Sequence, residues 1–434
     1  MRLNKILVSG LLLTSIFQLA FSREWSLQEC IDYAIENNLT IKLREQDLVT
    51  GELGVEDSRN AFLPRLSGSA SQSFNFGRGL TAQNTYANRN TSNFQVGASF
   101  SVPIFSGLRN IRTYEQSKLN LKQLAWQLES ARDNISLNII AQYLQVLYSR
   151  EVMETSQSQV DLSSYELNRR RSLAEEGKIA EVEVLEAESQ LAQDQLSLVN
   201  SVNDYNLAIL ELTQLLQLEN SDDFQVVYLN DGDPVIPSAR QVYAKAAENY
   251  SSVKAAESNV EVSKLAIKVA ETGYIPTLSL NGGIGSSYYK LNGIKNLPFK
   301  TQFKENYNTY IGLSLNIPIF DGLSTRTQVR RAKAQLFTSQ LQVDQVKSDL
   351  YKSIEQAHVQ ACGAKEKFNT AKTSTNAASI AFEAMTEKYN LGRATSAEYE
   401  QSKTNLYKAR IQQIQAHYEY LLRYRLLDYY QGKR

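Results

Sequence analysis

Cysteine and histidine are nearly missing from this chain of 434 residues, which holds two of each. Cys30 and Cys362 cannot build a disulfide framework, and the expected state is two separate buried thiols. His358 and His417 read as standing alone, without cysteine or carboxylate at ligand spacing, so no metal centre is expected. Charge of one sign is also missing: 46 Lys+Arg balance 46 Asp+Glu, which removes the electrostatic basis for binding nucleic acid. No Gly-rich phosphate loop is present, and no Ser/His/Asp order with supporting context. Neither an enzyme nor a cofactor is therefore expected. Beyond the first 22 residues no run of 18 or more apolar residues occurs, so no transmembrane helix is expected.

What is present begins with a leader. Arg2 and Lys5 precede the apolar run Ile6 to Leu13, and Ala20-Phe21-Ser22 supplies small residues at −3 and −1. Residues 1–22 are expected to be a secretory signal peptide. A secreted chain of this kind is either soluble or an outer-membrane β-barrel.

The rest of the chain is a duplication. SLQECIDYAIENN from Ser26 returns as SARQVYAKAAENY from Ser238, an offset of 238 − 26 = 212, and FSVPIFSGLRN returns as LNIPIFDGLST, with Pro318 − Pro103 giving 215. The repeats are placed at 23–220 and 238–434, with a linker or equatorial segment at 221–237 rich in Asp, Asn, Gly and Pro. Each repeat reads as helix–strand–loop–strand–helix–helix. The opening helices are expected to run from near Ser26 to Phe62 and from near Ser238 to Tyr274, stopped by Pro64 and Pro276. Strands are expected at about 65–77, 93–105, 277–289 and 307–319. Along them a greasy row (Phe94, Val96, Ala98, Phe100) alternates with a hydroxyl and amide row (Asn93, Gln95, Ser99, Ser101), the pattern of a transmembrane barrel strand. Phe74, Phe76, Tyr288, Tyr289, Tyr307 and Tyr310 would form interface girdles, and the segments between paired strands read as polar outward loops. Pro103 and Pro318 mark strand-to-helix swivels, since proline cannot donate a ladder hydrogen bond.

After each swivel comes the longest helical pattern. Leu121, Leu124, Leu128, Ala131 and Ile135 follow a heptad seam, repeated by Leu336, Val343, Val346, Leu350 and Ile354. Each run is about 100 Å long at 1.5 Å per residue. Gly177 and Gly392 interrupt these rods and read as hairpin tips.

Four strands cannot close a barrel, which needs about eight, and an open edge in lipid leaves hydrogen bonds unmade. The chain is therefore expected to share one barrel with identical copies. The paired FLP…PIF-x-G-L units, the AIENN and AAENY starts and the tip YNLG followed by a carboxylate resemble the TolC-type outer-membrane efflux and secretion channels. That resemblance covers essentially the whole mature chain. It implies an α+β membrane protein, a homotrimer with a 12-stranded β-barrel continued by a 12-helix α-barrel in the periplasm of a Gram-negative bacterium. It further implies an adaptor (membrane fusion) protein and an inner-membrane transporter as partners, in a tripartite efflux pump or type I secretion system. Glu183 and Glu398, each six residues after a tip glycine, would line or tie the aperture, and Tyr389 would tie inner to outer coil. A second aperture acid of the family falls on Gln401. The rival reading is a periplasmic coiled-coil adaptor or structural protein.

Overall fold

The computed structural model describes residues 24–80, 84–88, 90–220, 224–229 and 235–432; the leader lies outside them, as does part of the linker. In chain order the elements are β1 (Glu24–Trp25), α1 (Leu27–Asn37), α2 (Leu39–Asn60), β2 (Arg65–Asn75), β3 (Arg78–Leu80), β4 (Tyr86–Asn88), β5 (Thr91–Phe105), α3 (Arg109–Glu175) and α4 (Glu181–Leu216). There follow β6 (Gln225–Val226), α5 (Ala239–Asn249), α6 (Ser251–Glu271), a 3-10 turn (Thr272–Tyr274), β7 (Thr277–Leu291), α7 (Phe299–Glu305), β8 (Asn308–Asn316), α8 (Ser324–Asn390) and α9 (Ser396–Tyr430). Among the described residues no helix is long and apolar enough to cross a membrane. The chain forms two compact units, each drawing on both repeats. One comprises the described residues up to Ile41 with Arg132–Tyr243 and those from Ser353 on; the other comprises Lys42–Ala131 and Ala244–Lys352.

The second unit is built on one antiparallel sheet of four strands in the order β2-β5-β7-β8, so the two repeats meet at the β5–β7 ladder. Register puts Leu66, Phe100, Gly282 and Ile311 in one row across the sheet, and Ser67, Ser99, Gly283 and Tyr310 in the next. Because side chains alternate with period two, one face is apolar and the other polar. Packing agrees: a Cβ on Gly282 would run into the Phe100 ring, and one on Gly283 would meet the Tyr310 ring at 2.8 Å. Tyr289 pairs with Asn93 and Tyr310 with Gly283, which places both rings in polar rows. They do not belong to an apolar-face girdle, as their position near the strand ends had implied. Among the described residues, neither β2 nor β8 has a second neighbour in the sheet.

Four sequence expectations need correction here. First, β8 ends at Asn316, so Pro318 lies beyond the sheet, while Pro103 lies inside β5 beside an irregularity between Pro103 and Phe105. The chain swivels further on, where Gly107 and Leu108 (φ 62° and 65°) and Gly322 and Leu323 (φ 65° and 63°) are left-handed in succession. Two leucines in that region are costly and demand firm surroundings. The variable residue of Pro-Ile-Phe-x-Gly-Leu supplies part of them. Ser106 Oγ accepts from the Asn110 amide at 3.3 Å and Asp321 Oδ2 from the Thr325 amide at 2.7 Å, each satisfying an orphan donor of the following helix.

Second, the opening helices are not continuous. Ser26 and Glu29 form a reciprocal capping box, but α1 stops at Asn37 and α2 begins at Leu39. Asn38 is extended (ψ 130°), its Oδ1 accepts from the Thr40 amide at 2.9 Å, and its Nδ2 donates to the Leu215 carbonyl at 2.9 Å. An asparagine that caps a new helix breaks the old one without any proline. Tyr250 makes the same extended break in the second repeat, with ψ 131°. Asn38 is 4 % exposed, so Asn38→Ala should lose the cap and orphan the Leu215 carbonyl. The expected loss is about 1–3 kcal/mol, read as a lowered unfolding midpoint.

Third, the loops carry structure. β3 and β4 pair between β2 and β5, and α7 lies between β7 and β8. Fourth, only Cys30 is buried; Cys362 is exposed on α8, its sulfur 3.9 Å from His358 Nε2 one helical turn away. His358 therefore does have a cysteine at turn spacing, although no third ligand joins them among the described residues.

In the first unit, β1 and β6 pair in parallel, and Trp25 stacks on Phe224 at 5.7 Å. The buried Tyr143 hydroxyl donates to the Val227 carbonyl at 2.6 Å, with the Trp25 carbonyl at 3.0 Å. Part of the expected linker is thus a short strand held against α3. Ile139, Leu144 and Leu147 of α3 are buried, as are Leu212 and Leu216 of α4.

Candidate functional site

Both hairpins turn by the same device. Gly177 (φ 70°) donates to the Ala174 carbonyl and Lys178 to that of Leu173, both at 2.9 Å; Gly392 (φ 69°) donates to Tyr389 at 3.1 Å and Arg393 to Lys388 at 2.8 Å. Glycine at C′ with this bond pair is a Schellman ending, which satisfies carbonyls the helix end would leave unpaired.

The helices that follow start differently. Ala180 precedes α4 and offers no side-chain cap, whereas Thr395 precedes α9 in a full capping box with Glu398. Glu398 Oε2 accepts from the Thr395 amide at 2.8 Å and hydroxyl at 2.9 Å. Those hydrogen bonds, with a smaller contribution from Lys388, hold its carboxyl below the usual glutamate range. A depressed carboxyl favours the capped start at and above neutral pH, and that contribution fades as acid protonates it. Glu183 holds the equivalent third position of α4 but has no capping partner there. Its Oε2 instead accepts from the Ser396 hydroxyl at 2.6 Å, bridging α4 to the first residue of α9. The two glutamates that the sequence pairs therefore do different work.

Tyr389 stacks on Tyr399 with centroids 4.8 Å apart, and the Arg169 guanidinium lies 5.0 Å from the Tyr389 centroid. Tyr389 on α8 is thereby tied to α3 and α9. Among the described residues Gln401 bonds along its own helix, donating to Asn405 at 2.9 Å.

Behind these residues lies a buried ionic cluster that sequence reasoning did not single out. Arg170 is 1 % and Lys403 2 % exposed. Arg170 donates to Glu400 Oε1 at 3.0 Å and to the Glu183 carbonyl at 3.3 Å. Lys403 Nζ lies 2.6 Å from Glu400 Oε2 and donates to Ser163 Oγ at 3.0 Å. Ser163 in turn bonds Asp194, which also accepts from Gln190 at 3.0 Å. The buried Tyr399 hydroxyl lies 3.4 Å from Glu166 Oε1, with Arg169 3.7 Å from the same oxygen. Burial first, and the Glu166 charge second, push the Tyr399 phenol well above its ordinary range, so it remains a donor. Three cations thus meet three carboxylates across α3, α4 and α9. One signal in the sequence pointed here: Lys403 sits between Tyr399 and Leu406 on the core stripe of α9, where an apolar residue belongs.

Residues 30–217 and 242–432 match the family of outer membrane efflux proteins. The chain belongs to that family. This efflux protein is 22% identical over 414 residues to the outer membrane efflux protein BepC of Brucella suis biovar 1 (strain 1330), covering 95% of this chain and 86% of that one. It is also 22% identical over 375 residues to the outer membrane protein TolC of Escherichia coli (strain K12), covering 85% and 74%. Its fold matches the CmeC outer membrane channel of Campylobacter jejuni with a TM-score of 0.77 at 20% identity, over 94% of this chain and 86% of that one. A match that spans both repeats decides against the adaptor reading.

Proposed function

We propose that this efflux protein is the outer-membrane duct of a tripartite pump, a passive and gated conduit from periplasm to exterior. The observation that carries the reading is the four-stranded sheet, with one apolar face, one polar face and both edges unpaired among the described residues. In lipid such edges must pair, and about eight strands is the least that closes. Two copies give eight strands, whose interior fills with side chains; three give twelve and a lumen lined by serine, asparagine and glycine. A homotrimer is therefore the assembly proposed, with α3, α4, α8 and α9 of each copy walling a periplasmic tunnel. An adaptor protein would engage the hairpins, and the inner-membrane transporter would supply the energy. Heat-modifiable trimers in the outer-membrane fraction that conduct ions in planar bilayers would support this; a monomer without conductance would sink it.

At the tips, Glu183 and Tyr389 are proposed as ties and Glu398 as a charge of the aperture. Glu398 also caps α9, so Glu398→Ala would confuse two effects. Glutamine is accepted at that capping-box position. Glu398→Gln is therefore expected to lower cation-over-anion permeability in bilayer recordings, with a thermal midpoint near the parent's. An unchanged permeability ratio would remove Glu398 from the conduction path.

A further inference from the structure

The segment between β7 and β8 is more than a connection. β8 pairs with β7 only as far as Gly285, so the β7 edge from Ser286 to Leu291 has no strand on that side among the described residues. The loop fills the gap with its own amides. Gln302 accepts from the Tyr289 amide and donates to its carbonyl, both at 3.0 Å. Asn296 does the same for Leu291 at 2.9 Å each way, and Asn306 donates to the Ser287 carbonyl at 2.8 Å. This pins α7 against the sheet end, and its aromatic rings meet the apolar row. Phe299 lies 5.2 Å from Tyr288 and 6.2 Å from Phe94, and stacks on Phe303 at 5.3 Å. Tyr288 and Phe94 are cross-strand partners on the apolar face.

Around that aromatic patch stand Lys290, Lys295, Lys300 and Lys304, all exposed. No ammonium of the four has an ion pair or hydrogen bond among the described residues, and Glu305 is the single acid between 290 and 305. Lys300 and Lys304 share one helical face beside the stripe of Phe299 and Phe303. Ile294, Leu297 and Phe299 remain 44 %, 58 % and 49 % exposed, so apolar and cationic groups are offered side by side. Aromatic and aliphatic groups continuous with a lipid-facing sheet, rimmed by unpaired lysines, match the boundary between acyl chains and anionic headgroups.

We propose that residues 290–305 form an interfacial anchor that binds the phosphate groups of membrane lipid in the leaflet bordering this sheet end. The assignment rests on the barrel reading, since it takes the apolar face as the lipid face. The lysines contribute charge attraction, which falls off within a Debye length, and the Phe299–Phe303 patch sets the depth.

The test uses the full chain, purified in zwitterionic detergent and immobilised. Mixed micelles of phosphatidylcholine with diphosphorylated lipid A are compared with micelles of the same lipid A stripped of phosphate. The parent should capture the phosphorylated micelles preferentially. Lys290→Gln, Lys295→Gln, Lys300→Gln and Lys304→Gln combined should weaken that capture roughly tenfold or more, while four arginines in their place retain it. Equal capture of both micelles, or no loss in the glutamine variant, overturns the proposal. So does full competition by inorganic phosphate at matched phosphate concentration, which would mark a free-anion site. Outer-membrane fractionation and conductance of the same preparations separate the two readings. If both are normal while capture ignores charge, only the anchor falls; if both fail, the barrel falls first.

Discussion

Leu313→Arg is expected to abolish insertion and trimer formation, while Ser314→Arg, one residue on, is expected to assemble and alter conductance. The two side chains stand on opposite faces of mid-β8: Leu313 pairs with Leu280 in an apolar row, and Ser314 with Ser279 in a polar one. An arginine on the lipid face costs up to about 2–4 kcal/mol per copy, most where it lies deepest, and in the proposed trimer the cost is met three times. A guanidinium in an aqueous lumen carries no such penalty and adds a ring of fixed charge that shifts selectivity toward anions. Gel mobility of unheated samples reads assembly, and bilayer recordings read the lumen. If Ser314→Arg failed to insert and Leu313→Arg succeeded, the face assignment would be inverted.

The second large effect concerns the cluster behind the tips. Arg170→Ala should destabilise the first unit by about 3–5 kcal/mol, because removing one partner of a buried pair leaves the other unpaired. Arg170 is 1 % exposed and Glu400, with a side chain 20 % exposed, is its partner at 3.0 Å. Lys403 remains 2.6 Å from Glu400, which limits the loss, so Arg170→Ala with Lys403→Met should cost more than either change alone. Adding Glu400→Gln to Arg170→Ala should restore part of the stability. A double-mutant cycle in which the two effects simply add would show that the pair is not coupled. Faster amide exchange in α9 near Glu400 would locate the loosening at the tip, and raised basal conductance would link it to gating.

How much of this was legible in the chain divides along physical lines. The duplication, the strand alternation and the tip glycines were readable because each rests on spacing or on a conformation few residues tolerate. The break at Asn38 was hidden because an asparagine inside an amphipathic pattern resembles any polar face residue until its side chain is seen capping Thr40 and reaching Leu215. The swivel lies four to five residues beyond the prolines: proline is the conspicuous residue, but Gly107 and Leu108 carry the unusual dihedrals. At the tips, Glu183 and Glu398 share a position in sequence, yet their roles differ because Thr395 is a cap and Ala180 is not. The cluster of Arg170, Glu400 and Lys403 joins residues more than two hundred positions apart, so the one local signal, a lysine on the core stripe of α9, could not name its partners. α7 was missed because its seven residues are too few to show a period.

The helices α3 and α8 have 67 residues each, and both run unbroken to their tip glycines. Equal length makes them act as matched rulers. Inserting a single residue in only one of them would advance everything beyond it by about 1.5 Å and turn it about 100°. Tyr389 would then miss Arg169, and Ser396 would miss Glu183, though no side chain at the tip had been touched. Change in chain length is thus confined to the connections, and the rods can lengthen only in concert.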